Sequence, residues 1–319
     1  MDKFLITAVL IAIPTYLYIR IVISIDRFEK EPTRYLIGAF LWGAVPAVII
    51  GIIAQLILDI PVEEILGTSL TGQFITTAIN APITEEILKG AVVAILYLWF
   101  RREFDGWVDG IVYGAMAGFG FAYVENIIYL LGTKTWEEWV GLFILRVIAL
   151  GFMHGFWTAL TGIGFGVARH MHNPWMKVWA IATGLIAAMF AHLIHNGGLI
   201  LAEASGGATI LVVMWNYGFL LILMIILGFV AARHDRKMLK TYLSDEVPHI
   251  ISAVDYEGLC NTTSNALARF RAAPKQKRAF IQAAAELAQK KFQLMKMGEE
   301  GGNSTEIKLL REELKRMRG

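Results

Sequence analysis

Cysteine is almost missing from this chain of 319 residues: Cys260 stands alone, so no intramolecular disulfide framework can staple the fold. Positive charge is scarce through residues 1–232, which hold 12 of the 29 Lys and Arg, while 233–319 hold the other 17. That asymmetry accompanies a composition that is 56% hydrophobic and a mean hydropathy of +0.55. Together they exclude an ordinary soluble globule and predict a membrane domain, 1–232, followed by a basic, water-facing tail, 233–319. No small-residue cleavage site follows the apolar run 4–25, which is also too long for the core of a secretory signal, so it reads as a first spanning helix. No convincing internal repeat is found, which weighs against a transporter built from inverted halves. No H-E-x-x-H run occurs, so the sequence carries no strong metal signature.

What is present is apolar length. Seven runs, at 4–25, 35–58, 73–100, 107–131, 141–168, 177–203 and 209–232, can each cross hydrocarbon at ~1.5 Å per residue. The expected fold is all-α: a polytopic bundle of about seven transmembrane helices with a helical cytoplasmic tail. Arg20, Arg27, Lys30 and Arg34 flank the first connection, Arg101 and Arg102 the third, Arg169 and Lys177 the fifth, and Arg233, Arg236, Lys237 and Lys240 open the tail. The other connections are poor in positive charge, so the N-terminus is expected outside and the tail in the cytoplasm, as an odd number of spans requires. In the tail, Ile281, Ala284, Ala285, Ala288, Phe292 and Met295 fall on one helical stripe, and Asn303 with Glu306 spells a capping box. The basic surface of the tail suits anionic headgroups, and nothing in it is catalytic in character. The Asn261-Thr262-Thr263 sequon has no meaning in a cytoplasmic segment.

Against this apolar background stands Ala81-Pro82-Ile83-Thr84-Glu85-Glu86-Ile87-Leu88-Lys89-Gly90. An ionisable side chain in hydrocarbon costs ~3 kcal/mol or more, so three within five residues need partners or a purpose. Lys89 follows Glu85 by four residues and Glu86 by three, so it reaches both. Two acids on one base leave a negative surplus that simple helix pairing does not need. In the fourth span Gly106, Gly110, Gly114 and Gly118 recur every four residues, a row continued by Ala122 and Asn126, so another helix can approach closely. Glu125 lies two turns beyond Gly118 and points into the bundle, with Phe121 one turn before it. The fifth span carries His154 between Gly151 and Gly155, with Thr158 one turn on; the sixth carries His192, His195 and Asn196. Counted from the outer span ends, Glu85 lies ~18 Å deep, Glu125 ~9 Å, His154 ~20 Å and His192 ~17 Å. The four helices run alternately up and down, yet their polar residues share one layer in the outer half of the bilayer. A single polar chamber is the simplest reading. Asp109 and Arg146, near span ends, read as interfacial and outside it.

Such a chamber suits hydrolysis. One of two neighbouring carboxylates can take a proton from water while a neighbouring His or Asn holds the oxyanion. Alternatively, Glu and His together can hold zinc. Without a metal motif, the sequence leans toward carboxylate-activated water and leaves the metal open.

These residues also resemble a known family. Glu85-Glu86-x-x-Lys89, Phe121-x-x-x-Glu125, His154 and His192-x-x-x-Asn196 are similar to the signature of the PrsW family of intramembrane proteases, related to the superfamily that includes CAAX prenyl proteases. Asp26-Arg27-Phe28-Glu29-Lys30-Glu31-Pro32 and Gly118-Phe119-Gly120-Phe121-Ala122-Tyr123-Val124-Glu125-Asn126 agree with it. The likeness covers roughly 20–232. It implies cleavage of membrane-anchored proteins, anti-sigma factors being the substrate class attached to the namesake. It makes Glu85, Glu86, Glu125, His154 and His192 the catalytic set, Asn196 an oxyanion or substrate donor, and Lys89 the group that orients the glutamates. The cofactor is left open between none and a divalent metal such as zinc, for which Glu86, Glu125, His154 and His192 would be the ligands. The expected partners are a membrane-anchored protein substrate and the lipid bilayer, with no nucleic acid, in the plasma membrane of a prokaryote. A proton-coupled transporter or a non-catalytic scaffold could use the same buried cluster.

Overall fold

A computed structural model describes residues 3–26, 31–101, 103–260, 274–299 and 302–318, and among them every regular element is helical. Seven long helical runs succeed one another: α1 (Lys3–Ile23), α2 (Thr33–Leu66), α3 (70–99), α4 (Trp107–Leu131), α5 (Trp136–Arg169, interrupted at 150–152), α6 (Pro174–Ile200) and α7 (Ala208–Tyr242). All but α3 are long and apolar enough to cross a membrane. α3 has the length, carries Glu85, Glu86 and Lys89, and buries all three. The protein is an all-α, polytopic membrane bundle. Its lipid-side surface is apolar, as Ile52, Ile53, Leu56 and Ile57 on α2 and Trp215, Phe219 and Ile222 on α7 illustrate.

The chain divides into two compact units, one built on α1 and Glu31–Ile225, the other on Ile226–Gly319. In the first, α4 is the axis: 78% of its most apolar stretch is buried, against 22% for α1 and α6. Its glycines explain why. A Cβ on Gly114 would stand 2.5 Å from the Thr158 carbonyl oxygen, and one on Gly118 2.2 Å from that of His154, so the row predicted for close packing lies against α5 backbone. The opposite face is equally tight, with Gly120 against the Phe40 carbonyl and Gly43 of α2 against that of Ala117.

Among the described residues three runs contain a π turn: Gly43–Ala47 in α2, Phe74–Asn80 in α3 and Phe143–Ala149 in α5. The first contains Pro46 and the second precedes Pro82; a proline supplies no N–H, and a widened turn absorbs the mismatch in bonding. In a five-residue bonding pattern Pro82 would be the donor to Thr77. Asn196 supplies it instead, donating from Nδ2 to the Thr77 carbonyl at 2.8 Å. α2 runs past its expected end at 58, through Pro61, until Gly67 (φ 56°) ends it.

Two span-end expectations change. Asp109 is buried and caps α4, accepting the Asp105 and Gly106 amides at 2.7 and 2.8 Å. The first connection is not simply a solvated turn: Glu31 accepts a hydrogen bond from the buried Tyr113 hydroxyl, while residues 27–30 of that motif lie outside the described residues.

In the second unit, Leu239 and Leu243 at the end of α7 form a core with α8 (Ala253–Cys260), α9 (Lys275–Met297) and α10 (Asn303–Arg318). Ala284, Ala285 and Ala288 are buried with Ile281 and Phe292 packed on them, as the stripe predicts. Met295 is 65% exposed, because by the last turn the buried face has precessed to Leu294. The Asn303–Glu306 capping box does not form. Gly302 (φ 88°) turns the chain one residue early, its carbonyl takes the Thr305 and Glu306 amides, and Asn303 donates to the Gly298 carbonyl. Cys260 is buried in this core, and burial pushes its thiol up. The Asn261 sequon lies outside the described residues.

Candidate active site

The Pro82 end of α3 delivers its three charged residues to the face shared with α4, α5 and α6. Lys89 is fully buried; its Nζ lies 2.6 Å from Glu86 Oε1, 3.5 Å from Glu85 Oε2 and 3.2 Å from His154 Nδ1. It also stands 4.5 Å from the ring centre of Phe121, which in turn stacks on His154 rather than covering Glu125 alone. An ammonium has donors and no acceptor, so Nδ1 of His154 accepts and its Nε2–H faces Glu125 Oε2 at 3.0 Å.

Glu86 is saturated. Oε1 accepts from Lys89 and lies 3.1 Å from His192 Nδ1, while Oε2 accepts from Thr158 Oγ1 at 3.0 Å. A carboxylate only accepts, so His192 donates from Nδ1 and keeps its lone pair at Nε2. Its ring lies flat on Trp157, centroids 4.0 Å apart at 16°. Glu85 has a different environment. Gln55 of α2 donates to Oε1 at 3.3 Å, whereas Oε2 is buried without a hydrogen-bond partner. Two adjacent residues of identical chemistry thus differ: both Glu86 oxygens accept hydrogen bonds, whereas Glu85 Oε2 has only the Lys89 ammonium at 3.5 Å.

The structure therefore brings Glu85, Glu86, Lys89, Glu125, His154 and His192 into one contact network drawn from four helices. Asn196 turns instead to the Thr77 carbonyl, and His195 hydrogen-bonds with the Tyr217 hydroxyl beside Trp157. Sequence reasoning missed Arg146, whose Nη2 donates to Glu125 Oε2 at 2.8 Å. Its place in a π turn hides its direction from any count at regular helical spacing. It also missed Gln55 and Trp157; the former was legible as a polar residue within an apolar span.

Among the described residues, Glu85, His154 and His192 can each offer one ligand atom, all within 4.8 Å of one another and all buried. One carboxylate and two imidazoles suit zinc, and Glu85 Oε2, which is buried and accepts no hydrogen bond, is the kind of atom a cation satisfies. The sequence-based set differed in taking Glu86 and Glu125, which cationic side chains hold at 2.6 and 2.8 Å, closer than the 3.5 Å between Lys89 and Glu85.

A sequence model described as "PrsW family intramembrane metalloprotease" matches residues 31–230. Protease PrsW of Geobacillus kaustophilus (strain HTA426) is 27% identical over 209 residues, 64% of this chain and 84% of the relative. Protease PrsW of Bacillus subtilis (strain 168) is 34% identical over 122 residues, 38% of this chain and 50% of the relative. Protease PrsW of Clostridioides difficile (strain 630) is 33% identical over 130 residues, 41% of this chain and 51% of the relative. No solved structure matches. Fold, buried acid–imidazole network and relatives together define an integral membrane peptidase acting on a protein substrate. The chain belongs to the PrsW family of intramembrane proteases.

Proposed function

We propose that the chain hydrolyses peptide bonds of membrane-anchored proteins at the Glu85–Glu86–His154–His192 cluster, near the extracytoplasmic face of the bilayer. The observation that carries this reading is the asymmetry of the two glutamates: Glu86 has every hydrogen bond it needs, and Glu85 Oε2 has none. Glu85 is the group free to take a proton from water and pass it to the departing amide nitrogen, and Lys89, 3.5 Å away, offsets the charge. Glu86 and Trp157 hold His192 with its Nε2 lone pair presented, and Glu125 holds His154. When a divalent metal is bound, Glu85, His154 and His192 would hold it, with Glu85 then a ligand rather than the base and His154 freed from Lys89 or Glu125 to present a lone pair, and the metal would supply Lewis-acid activation of water. Adjacent glutamates beside Lys89 suit carboxylate-activated water, and the missing compact motif does not weigh against a metal, because a donor set spread over three helices needs none. Asn196 gives one Nδ2–H to the π turn before the glutamates and retains a second for an oxyanion or substrate.

The Lys/Arg distribution supports an external N-terminus and a cytoplasmic tail, with 1–232 as the protease domain and 233–319 as an appendage. Substrates resembling anti-sigma factors are what the resemblance to the family implies. A substrate helix keeps its carbonyls bonded, so it must unwind locally, most easily near its membrane end. The test is purified protein in liposomes with a membrane-anchored substrate. Glu85→Gln should lower turnover ~10²–10⁴-fold without loss of fold. Unchanged turnover would remove Glu85 from the chemistry.

A further inference from the structure

Nothing in the sequence marks Arg146: it enters no motif and stands near the end of its span. The π turn Phe143–Ala149 changes its setting, because the additional residue in the turn re-aims the side chains along it. The guanidinium then meets three residues of one α4 face. Nη2 donates to Glu125 Oε2 at 2.8 Å, Nε donates to Asn126 Oδ1 at 3.2 Å, and the guanidinium carbon lies 3.8 Å from the Tyr129 ring centre. Two directed bonds and a flat ring fix a planar fork in a way a flexible ammonium could not match.

The oxygen that Arg146 grips is the one that faces the His154 ring. Glu125 Oε2 receives Arg146 on one side and His154 Nε2–H, at 3.0 Å, on the other. His154 then meets Lys89 through Nδ1, and Lys89 meets both glutamates of α3. The chain of contacts runs without a gap from Arg146 to Glu85. The arginine and Glu125 side chains are about one-fifth exposed, 21% and 20%, whereas those of Lys89, Glu86 and His192 are at 0–2%. The pair therefore stands at the rim of the network and secures its outermost carboxylate.

We propose that Arg146 is a positioning residue: it locks Glu125 so that Glu125 holds the His154 ring and tautomer in register with Lys89 and the glutamates. This rests on the reading of the cluster as the hydrolytic site, and it adds a residue that no motif contains. Removing the guanidinium leaves Glu125 held by His154 alone, so turnover falls while substrate affinity stays level.

The experiment compares full-length wild type, Arg146→Gln, Arg146→Lys and Tyr129→Leu in liposomes on one membrane-anchored substrate, with Glu85→Gln as reference. Arg146→Gln should lower kcat roughly 10–100-fold, the range for residues that orient others, with KM within about twofold. Arg146→Lys keeps a cation for Glu125 and should recover part of the loss. Tyr129→Leu removes only the ring beneath the guanidinium and should lower kcat a few-fold, and it carries the test if Arg146→Gln does not fold. Wild-type kcat in Arg146→Gln, a rise in KM alone, or no recovery in a folded Arg146→Lys would each overturn the proposal. If Glu85→Gln is inactive while the Arg146 variants are unaffected, this inference alone fails. If Glu85→Gln is fully active, the reading of the site fails with it.

Discussion

Glu85 and Glu86 differ by one position and by everything that surrounds them. Glu86 holds Lys89, His192 and Thr158 together, so Glu86→Gln should destabilise the membrane unit by about 3–5 kcal/mol, the scale for breaking a buried ion pair, and thermal unfolding in detergent reads this directly. Thr158→Val keeps the shape and removes one hydrogen bond to a charged oxygen, a loss of about 1.5–3 kcal/mol by the same measurement. At this scale much was legible beforehand. Three charges within five residues of an apolar run had to be internal, and helical spacing alone put Lys89 within reach of both acids. The roles were not legible, because whether a glutamate is saturated depends on Thr158, His192 and Gln55, which come from three other helices. The Asn196–Thr77 contact was equally hidden, since it answers a donor that Pro82 lacks.

Among the elements, α4 repays its glycine row most clearly. Gly118→Ala places a Cβ 2.2 Å from the His154 carbonyl oxygen, so even the smallest side chain must push α5 and His154 away. Overpacking of this kind costs about 1–3 kcal/mol, and activity should fall with it. Gly38→Ala, at a position with nothing within 4 Å, should shift stability by less than ~0.5 kcal/mol in the same melt. The row itself could be read from spacing, and so could seven long runs. The π turns could not, because a pattern of apolar residues does not reveal one extra residue in a turn. That is why Arg146 read as interfacial; α2 outran its expected end for another reason, its helix continuing through Pro61 to Gly67. The missed capping box of α10 has a similar cause: Gly302 at φ 88° offers a start one residue earlier than the side chains suggest.

For the whole molecule, the tail core is pinned by the buried Glu246 between Lys291 and Arg311, whose guanidinium is raised further by that pairing. Glu246→Gln should loosen unit two, seen as faster proteolysis of the tail, and leave turnover by the membrane unit unchanged. The expected orientation is tested with reporter fusions after Tyr242 and at the N-terminus; the buried Cys260 is a poor label. An external reporter signal from the tail would refute it. Exhaustive chelation should abolish turnover, and zinc should restore it, while helicity persists because Lys89 already bridges Glu85, Glu86 and His154. Full turnover by metal-free protein would return the mechanism to the carboxylates alone. The most direct measurement is mass spectrometry of the products that reconstituted wild type and Glu85→Gln make from one membrane-anchored substrate. Wild type should make a single cut in the extracytoplasmic half of the substrate span, and Glu85→Gln should make none. The same product from both proteins, or a cut at the cytoplasmic end, would contradict this.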